Sequence, residues 1–280
     1  MAEDSIAILG GKGMLGTDLT EICAREGYDV RVLDLPEFDV TDSRRMREAL
    51  AAESTIVNCA AYTDVDGAES EAELAHRVNA EAVGRLGSLA RETGAWLLHI
   101  STDFVFDGEL DRPYVETDTP NPISEYGRSK LAGERLLAES DCAFCILRLE
   151  WTYGLRGRNF VTKLVERAKA DGKLKVVDDQ IGSPTATTEA GKAICELLRR
   201  RPEGVFHFAN AGYASRYEIA EFVFDKVPVD VDLSPCKTSD LVSPAQRPLN
   251  SRFDCSKITS VLGEPIPPWQ VPLEGFLRRL

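Results

Sequence analysis

The sequence predicts an α/β fold, with a doubly wound parallel sheet followed by a smaller C-terminal lobe. From residue 5 to about residue 149, short apolar runs alternate with stretches of helix-forming composition. That alternation implies a parallel, helix-covered sheet. The runs are apolar at nearly every position, which fits strands buried on both faces. After Gly154 the rhythm changes to helical stretches separated by irregular, proline-rich and polar segments, which marks the lobe.

Strands are expected over residues 6–9, 30–33, 55–58, 96–100 and 143–147. The segments between them, 14–25, 42–51, 71–92 and 129–139, have the composition and length of helices. Further helices are expected over 160–170, 189–200 and 217–224, and residues 204–208 read as another strand that could return to the main sheet. The expected organisation is a first unit over 1–154 and a lobe over 155–280. A chain of 280 residues is near the size at which a single core stops growing.

Hydrophobic residues make up 43% of the chain and charged residues 28%, and no apolar run approaches the roughly 20 residues of a membrane span. The net charge of −13 disfavours a nucleic-acid or anionic-membrane partner by long-range repulsion, so an anionic small ligand needs local cations. Met1-Ala2-Glu3-Asp4 lacks the basic flank and apolar run of a secretory signal, and a cytoplasmic location is expected. Several of the seven cysteines, Cys59, Cys145 and Cys195 among them, stand in apolar runs, as reduced core thiols do. Cys142 and Cys145 form a CxxC without a second pair, and His76, His99 and His207 are scattered, so no metal is expected.

The first chemical signal is Gly10-Gly11-Lys12-Gly13-Met14-Leu15-Gly16, placed between the first strand and the first helix. Glycines allow a tight turn and close approach of backbone to a pyrophosphate, whose charge then meets the amide groups of the helix N-terminus. That order of strand, turn and helix is the Rossmann arrangement. Asp34, about 20 residues on at the end of the second strand, is placed to accept hydrogen bonds from an adenosine ribose.

The second signal is Tyr126-Gly127-Arg128-Ser129-Lys130. Spacing of four puts Tyr126 and Lys130 on one helical face. A free phenol has a pKa of about 10, and a neighbouring ammonium lowers it, making a usable acid and base near neutrality. Upstream, the apolar run 97–100 leads into Ser101-Thr102-Asp103, so the Thr102 hydroxyl emerges at the C-terminal strand edge where such sheets bind ligands and could bond a substrate carbonyl.

A glycine-rich first turn, a hydroxyl after the fourth strand and YxxxK beyond it form the layout of the extended short-chain dehydrogenase/reductase superfamily. Within it the chain resembles the dTDP-4-dehydrorhamnose reductase family along nearly its whole length. The segments that carry the resemblance are Val57-Asn58-Cys59-Ala60-Ala61-Tyr62-Thr63-Asp64-Val65-Asp66, Ser101-Thr102-Asp103-Phe104-Val105-Phe106-Asp107-Gly108, the stretch from Tyr126 to Glu134, Asp179-Gln180-Ile181-Gly182-Ser183-Pro184-Thr185 and Arg247-Pro248-Leu249-Asn250-Ser251.

The resemblance implies NADPH or NADH as hydride donor, a dTDP-linked 4-ketosugar as substrate, and a monomer or homodimer. Tyr126 is then the proton donor, Lys130 lowers its pKa and holds the nicotinamide ribose, and Thr102 tunes the phenol and orients the ketone. Cofactor contacts are implied for Gly10, Gly13, Met14, Leu15 and Gly16, for Asp34, Asp39 and Val40, and for Ala60, Ala61 and Tyr62. Sugar contacts are implied for Thr63, Val65, Asp103 and Trp151, and Arg247 could meet a nucleotide phosphate. The sequence departs from the family pattern at two positions, with Glu150 where a small hydroxyl residue precedes the tryptophan and Arg216 where an aromatic residue follows the serine of Gly212-Tyr213-Ala214-Ser215. Two alternatives stay open. A dehydratase or epimerase shares YxxxK, but a dehydratase needs a second carboxyl where Phe104 stands. A dinucleotide-binding regulatory subunit, resembling the beta subunit of methionine adenosyltransferase, has no need for Thr102, Tyr126 and Lys130 together.

Overall fold

Six strands hydrogen-bond into one parallel sheet: β1 (Ser5–Leu9), β2 (Asp29–Leu33), β3 (Thr55–Asn58), β4 (Trp96–Thr102), β5 (Phe144–Leu149) and, returning late in the chain, the strand Gly204–Phe208. They are seen in a computed structural model that describes residues 5–280. The order across the sheet is β2, β1, β3, β4, β5 and then the returning strand, which pairs in parallel with β5 from Gly204↔Cys145 to Phe208↔Leu149. The chain leaves β1 in opposite directions towards β2 and β3, and this reversal opens a crevice at the carboxyl ends of the strands.

Alternating side chains of each central strand feed two cores. Ile6 and Ile8 pack towards Leu19 and Cys23 of α1 (Met14–Arg25) and towards the later helix Thr187–Arg200. Ala7 and Leu9 face Met46 and Leu50 of α2 (Ser43–Leu50) and Val83 and Leu86 in the helical stretch before β4. The edge strand β2 departs from the expectation of burial on both faces. Its Val32 is 38% exposed, because β2 is the edge of the sheet and no strand pairs beyond it.

The expected helix over 71–92 is interrupted. It consists of α3 (Ala72–His76), a π turn at Arg77–Glu81 and α4 (Ala82–Thr93). Asn79 in that turn is fully buried, bonding both backbone groups of Tyr62 and the Ser129 hydroxyl. Its carbonyl stands where a Cβ on Gly133 would be. The bulge therefore ties the loop after β3 to α5 (Glu125–Ala138), as π bulges commonly do near functional sites.

Helix α5 begins four residues earlier than expected. Ser124 caps it by accepting from Gly127 N at 3.2 Å, and Gly127 is required because a Cβ there would run into the Phe104 carbonyl. Tyr126 consequently sits in the first helical turn with Lys130 one turn on.

Beyond β5 come β6 (Thr152–Tyr153), α6 (Phe160–Asp171), β7 (Lys173–Val177), β8 (Ile181–Gly182), β9 (Thr185–Ala186), α7 (Thr187–Arg200) and the returning strand, β10. The chain ends with β11 (Ala214–Ser215), α8 (Arg216–Lys226), β12 (Asp232–Cys236), α9 (Ser256–Leu262) and α10 (Gln270–Leu277). Helices α6, α8 and α10 close a separate core around Leu164, Ile219 and Trp269, whereas α7 and α9 pack on the main sheet. No helix among the described residues is long and apolar enough to cross a membrane.

Candidate active site

The crevice at the strand ends deepens into a cavity of about 960 Å³, at the upper end of the range for small-molecule sites. It is lined at one end by the glycine turn and at the other by α6, β7 and Arg216. Every residue expected in the site from sequence lines it except Tyr62.

At the glycine end the backbone is shaped for close approach. Gly10 has φ +71°, and a Cβ there would lie 2.6 Å from Ala60 N. A Cβ on Gly16 would overlap the Gly10 carbonyl. Gly13, the N-cap of α1, offers no side-chain cap, so the first amide groups of the helix are left for a ligand. These features fit a dinucleotide pyrophosphate. Asp34 already accepts from Lys12 N at 2.8 Å and Leu35 N at 2.7 Å, and each carboxylate oxygen keeps a lone pair for a ribose hydroxyl. Tyr62 differs from expectation. Its hydroxyl donates to Glu71 at 2.6 Å, which turns the ring out of the cavity, while its backbone is held by Asn79.

In the middle of the cavity Tyr126, Lys130 and Thr102 come together. Burial pushes the Tyr126 phenol up to about 12, partly offset by the Thr102 hydroxyl that faces it. This is opposite to the direction expected from a neighbouring ammonium: burial dominates, and Lys130 Nζ is turned towards β4, donating to Ile100 O at 2.7 Å. Thr102 donates to Asp103 Oδ1 at 3.1 Å, and Asp103 Oδ2 accepts from Ser251 at 2.6 Å. Burial raises the Asp103 carboxyl above its usual range. Where a second carboxyl would be, the Phe104 ring packs edge-on against Tyr126 with centroids 5.5 Å apart.

A hydrogen-bond chain behind Lys130 was not foreseen. Ala60 N donates to Asn58 Oδ1, so Asn58 Nδ2 is the group that donates to His99 Nδ1 at 3.1 Å. The His99 proton therefore sits on Nε2, 3.3 Å from Lys130 Nζ. Two donors face each other unless the lysine is neutral. Burial acts in the same direction, pulling Lys130 from 10.5 down to about 8 and His99 well below its usual range. Below the pair, Glu134 of α5 is buried and doubly bonded to Arg148 of β5, at 2.9 and 2.6 Å, and also accepts from Ser101. That pair fixes α5 against the sheet.

At the far end stands Trp151, with φ +44°, a conformation that costs a bulky residue about 1–3 kcal/mol. Thr185 N holds it by donating to Trp151 O at 3.1 Å, and β6 pairs with β9 immediately after. Thr63 and Val65 also line the cavity. Arg247 is committed to Asp66 at 2.8 Å, so a phosphate would have to share it. The cations that sequence reasoning missed include Lys163 and Arg167, one turn apart on α6, whose spacing was the available signal, and Lys175 on β7. Among the described residues no group of three His, Cys, Asp or Glu side chains converges as a metal site, and all seven cysteines are free.

A doubly wound sheet with an uncapped glycine turn, a strand-end threonine and a Tyr-Lys pair on one cavity wall defines a short-chain dehydrogenase/reductase of the extended class. The family model for the RmlD substrate binding domain matches residues 4–280. Among curated proteins, the dTDP-4-dehydrorhamnose reductase of Mycolicibacterium smegmatis is 37% identical over 96% of this chain and 84% of its own. That of Escherichia coli is 34% identical over 99% of this chain and 98% of its own. The solved structure of the Bacillus anthracis dTDP-4-dehydrorhamnose reductase, in complex with NADP, superposes with a TM-score of 0.94 at 33% identity, covering 99% of this chain and 100% of that one. The chain belongs to the dTDP-4-dehydrorhamnose reductase family.

Proposed function

We propose that the protein reduces the 4-keto group of dTDP-4-dehydro-L-rhamnose to give dTDP-L-rhamnose, with NADPH or NADH as hydride donor. One observation carries the reading: a largely buried phenol and a buried amine lie one helical turn apart on the wall of the cavity that also contains the uncapped glycine turn. A reduced nicotinamide bound there supplies the hydride to the carbonyl carbon. Tyr126 gives its proton to the carbonyl oxygen as charge develops, and Thr102 hydrogen-bonds the same oxygen in the ground state. Lys130 swings from Ile100 O towards the ribose and phenol, stabilising the phenolate left behind. Helix α6 and strand β7 of the C-terminal lobe supply the basic wall of Lys163, Arg167 and Lys175 for the nucleotide end of the substrate, local cations that a chain of net charge −13 needs for an anionic ligand.

Absorbance of the reduced cofactor, followed with dTDP-4-dehydro-L-rhamnose present, tests this directly. Turnover is expected with the wild type, and Tyr126→Phe should lose roughly 10²–10⁴-fold in kcat with cofactor affinity unchanged. A wild-type protein that binds the cofactor and never oxidises it would instead be a binding subunit.

A further inference from the structure

The two positions at which this chain departs from its family, Glu150 and Arg216, lie within electrostatic reach of each other, and Arg216 lines the cavity. Ser215 pairs with Ile181 across β11 and β8, and Arg216 N donates to Gln180 O at 3.2 Å. This sets the first residue of α8 beside the end of β5. The Arg216 guanidinium lies 3.5 Å over the Trp151 ring and 4.7 Å over the Phe160 ring. Among the described residues its five N–H groups have no hydrogen-bond acceptor and no ion-pair partner, yet it lines the cavity. Glu150 behind it is 0% exposed, and neither of its oxygens closes a hydrogen bond, although the Ser183 and Phe253 amides face it.

We infer that Arg216 is a specificity-determining residue that binds the diphosphate of the nucleotide sugar, with Trp151 and Phe160 as the aromatic faces that hold its guanidinium flat. The position supports a diphosphate. The guanidinium lies over both Trp151, at the sugar end, and Phe160, the first residue of the helix α6 whose Lys163 and Arg167 also line the cavity and would meet the nucleoside end. A diphosphate joining sugar to nucleoside has to cross that interval. Stacking restrains the side chain without consuming its donors, so a bidentate contact to phosphate oxygens costs little further ordering. Burial raises the carboxyls of both Asp103 and Glu150, which weakens their hold on the guanidinium, and neither carboxylate closes an ion pair with it. Arg216 is itself lowered by burial to about 9, which leaves it cationic at neutral pH.

This deepens the nucleotide-sugar reading and rests on it. The test is calorimetric titration of the NADP⁺-bound protein with dTDP and, separately, with thymidine. The wild type should prefer dTDP, and Arg216→Gln should weaken dTDP binding about tenfold or more while leaving thymidine and NADP⁺ affinities unchanged. Glu150→Gln, which mimics the neutral acid, should keep dTDP affinity within about twofold of wild type. Equal dTDP affinity in wild type and Arg216→Gln overturns the inference alone. So does a tenfold gain in Glu150→Gln, since it would mean an ionised Glu150 already neutralises the guanidinium. A wild type that binds no dTDP overturns both the inference and the substrate reading.

Discussion

Replacing Lys130 by Met should make the cofactor-free protein more stable. The Lys130 side chain is 2% exposed, its one short acceptor is Ile100 O at 2.7 Å, and burial pulls it from 10.5 to about 8. At about 1.4 kcal/mol for each tenfold change in proton affinity, that fall is a penalty of about 3 kcal/mol on the folded, charged state. The sign follows from linkage. The folded form holds this proton less tightly than the unfolded chain, so between pH 8 and 10.5 the unfolded chain carries more protons and stability rises with pH. Below about pH 8 the penalty acts in full. Met has similar length and no charge, and the Ile100 carbonyl it leaves unbonded offsets roughly 1–2 kcal/mol of the gain. Urea unfolding near pH 7 should therefore show Lys130→Met more stable than wild type by about 1–2 kcal/mol, an advantage that shrinks and then changes sign as the pH is raised towards 10. A variant less stable than wild type near pH 7, or a difference that does not change with pH, would refute the account of a strained buried ammonium.

Two further substitutions probe the scaffold. Gly16→Ala places a methyl group against the Gly10 carbonyl, pushing α1 away from the turn. Fluorescence titration with NADPH should show about a tenfold or larger loss of affinity in a protein whose far-UV circular dichroism is unchanged, and wild-type affinity would contradict the cradle. Glu134→Gln leaves Arg148 buried without its counter-charge, and urea unfolding should register a loss of about 3 kcal/mol. A loss under about 1 kcal/mol would mean that the pair does not anchor α5.

Much of the site was legible because its signals are local. The glycine turn, the strand-end Thr102 and the Tyr-Lys spacing each act within a few residues of chain, where backbone sterics and helical periodicity decide geometry. The parallel sheet followed from apolar runs, and the edge exposure of β2 did not, since a run's composition says nothing of whether a neighbour covers it. Composition alone began α5 at residue 129, whereas the Tyr126–Lys130 spacing already implied a helix from Tyr126; the packing of Phe104 that demands Gly127 in its first turn lies over 20 residues away in the chain.

The sequence by itself determined the dinucleotide-binding fold, the chemical groups of the cavity and the family to which the chain belongs. Only tertiary structure decided which way those groups face and what they touch. Tyr62 turns out to Glu71, Lys130 turns to Ile100 and His99, Arg247 is taken by Asp66, and Arg216 is left unpaired beside Glu150. Each outcome is a competition among partners separated by 9 to 181 positions in the chain. Burial and donor count settle that competition only once the strands and helices are in place.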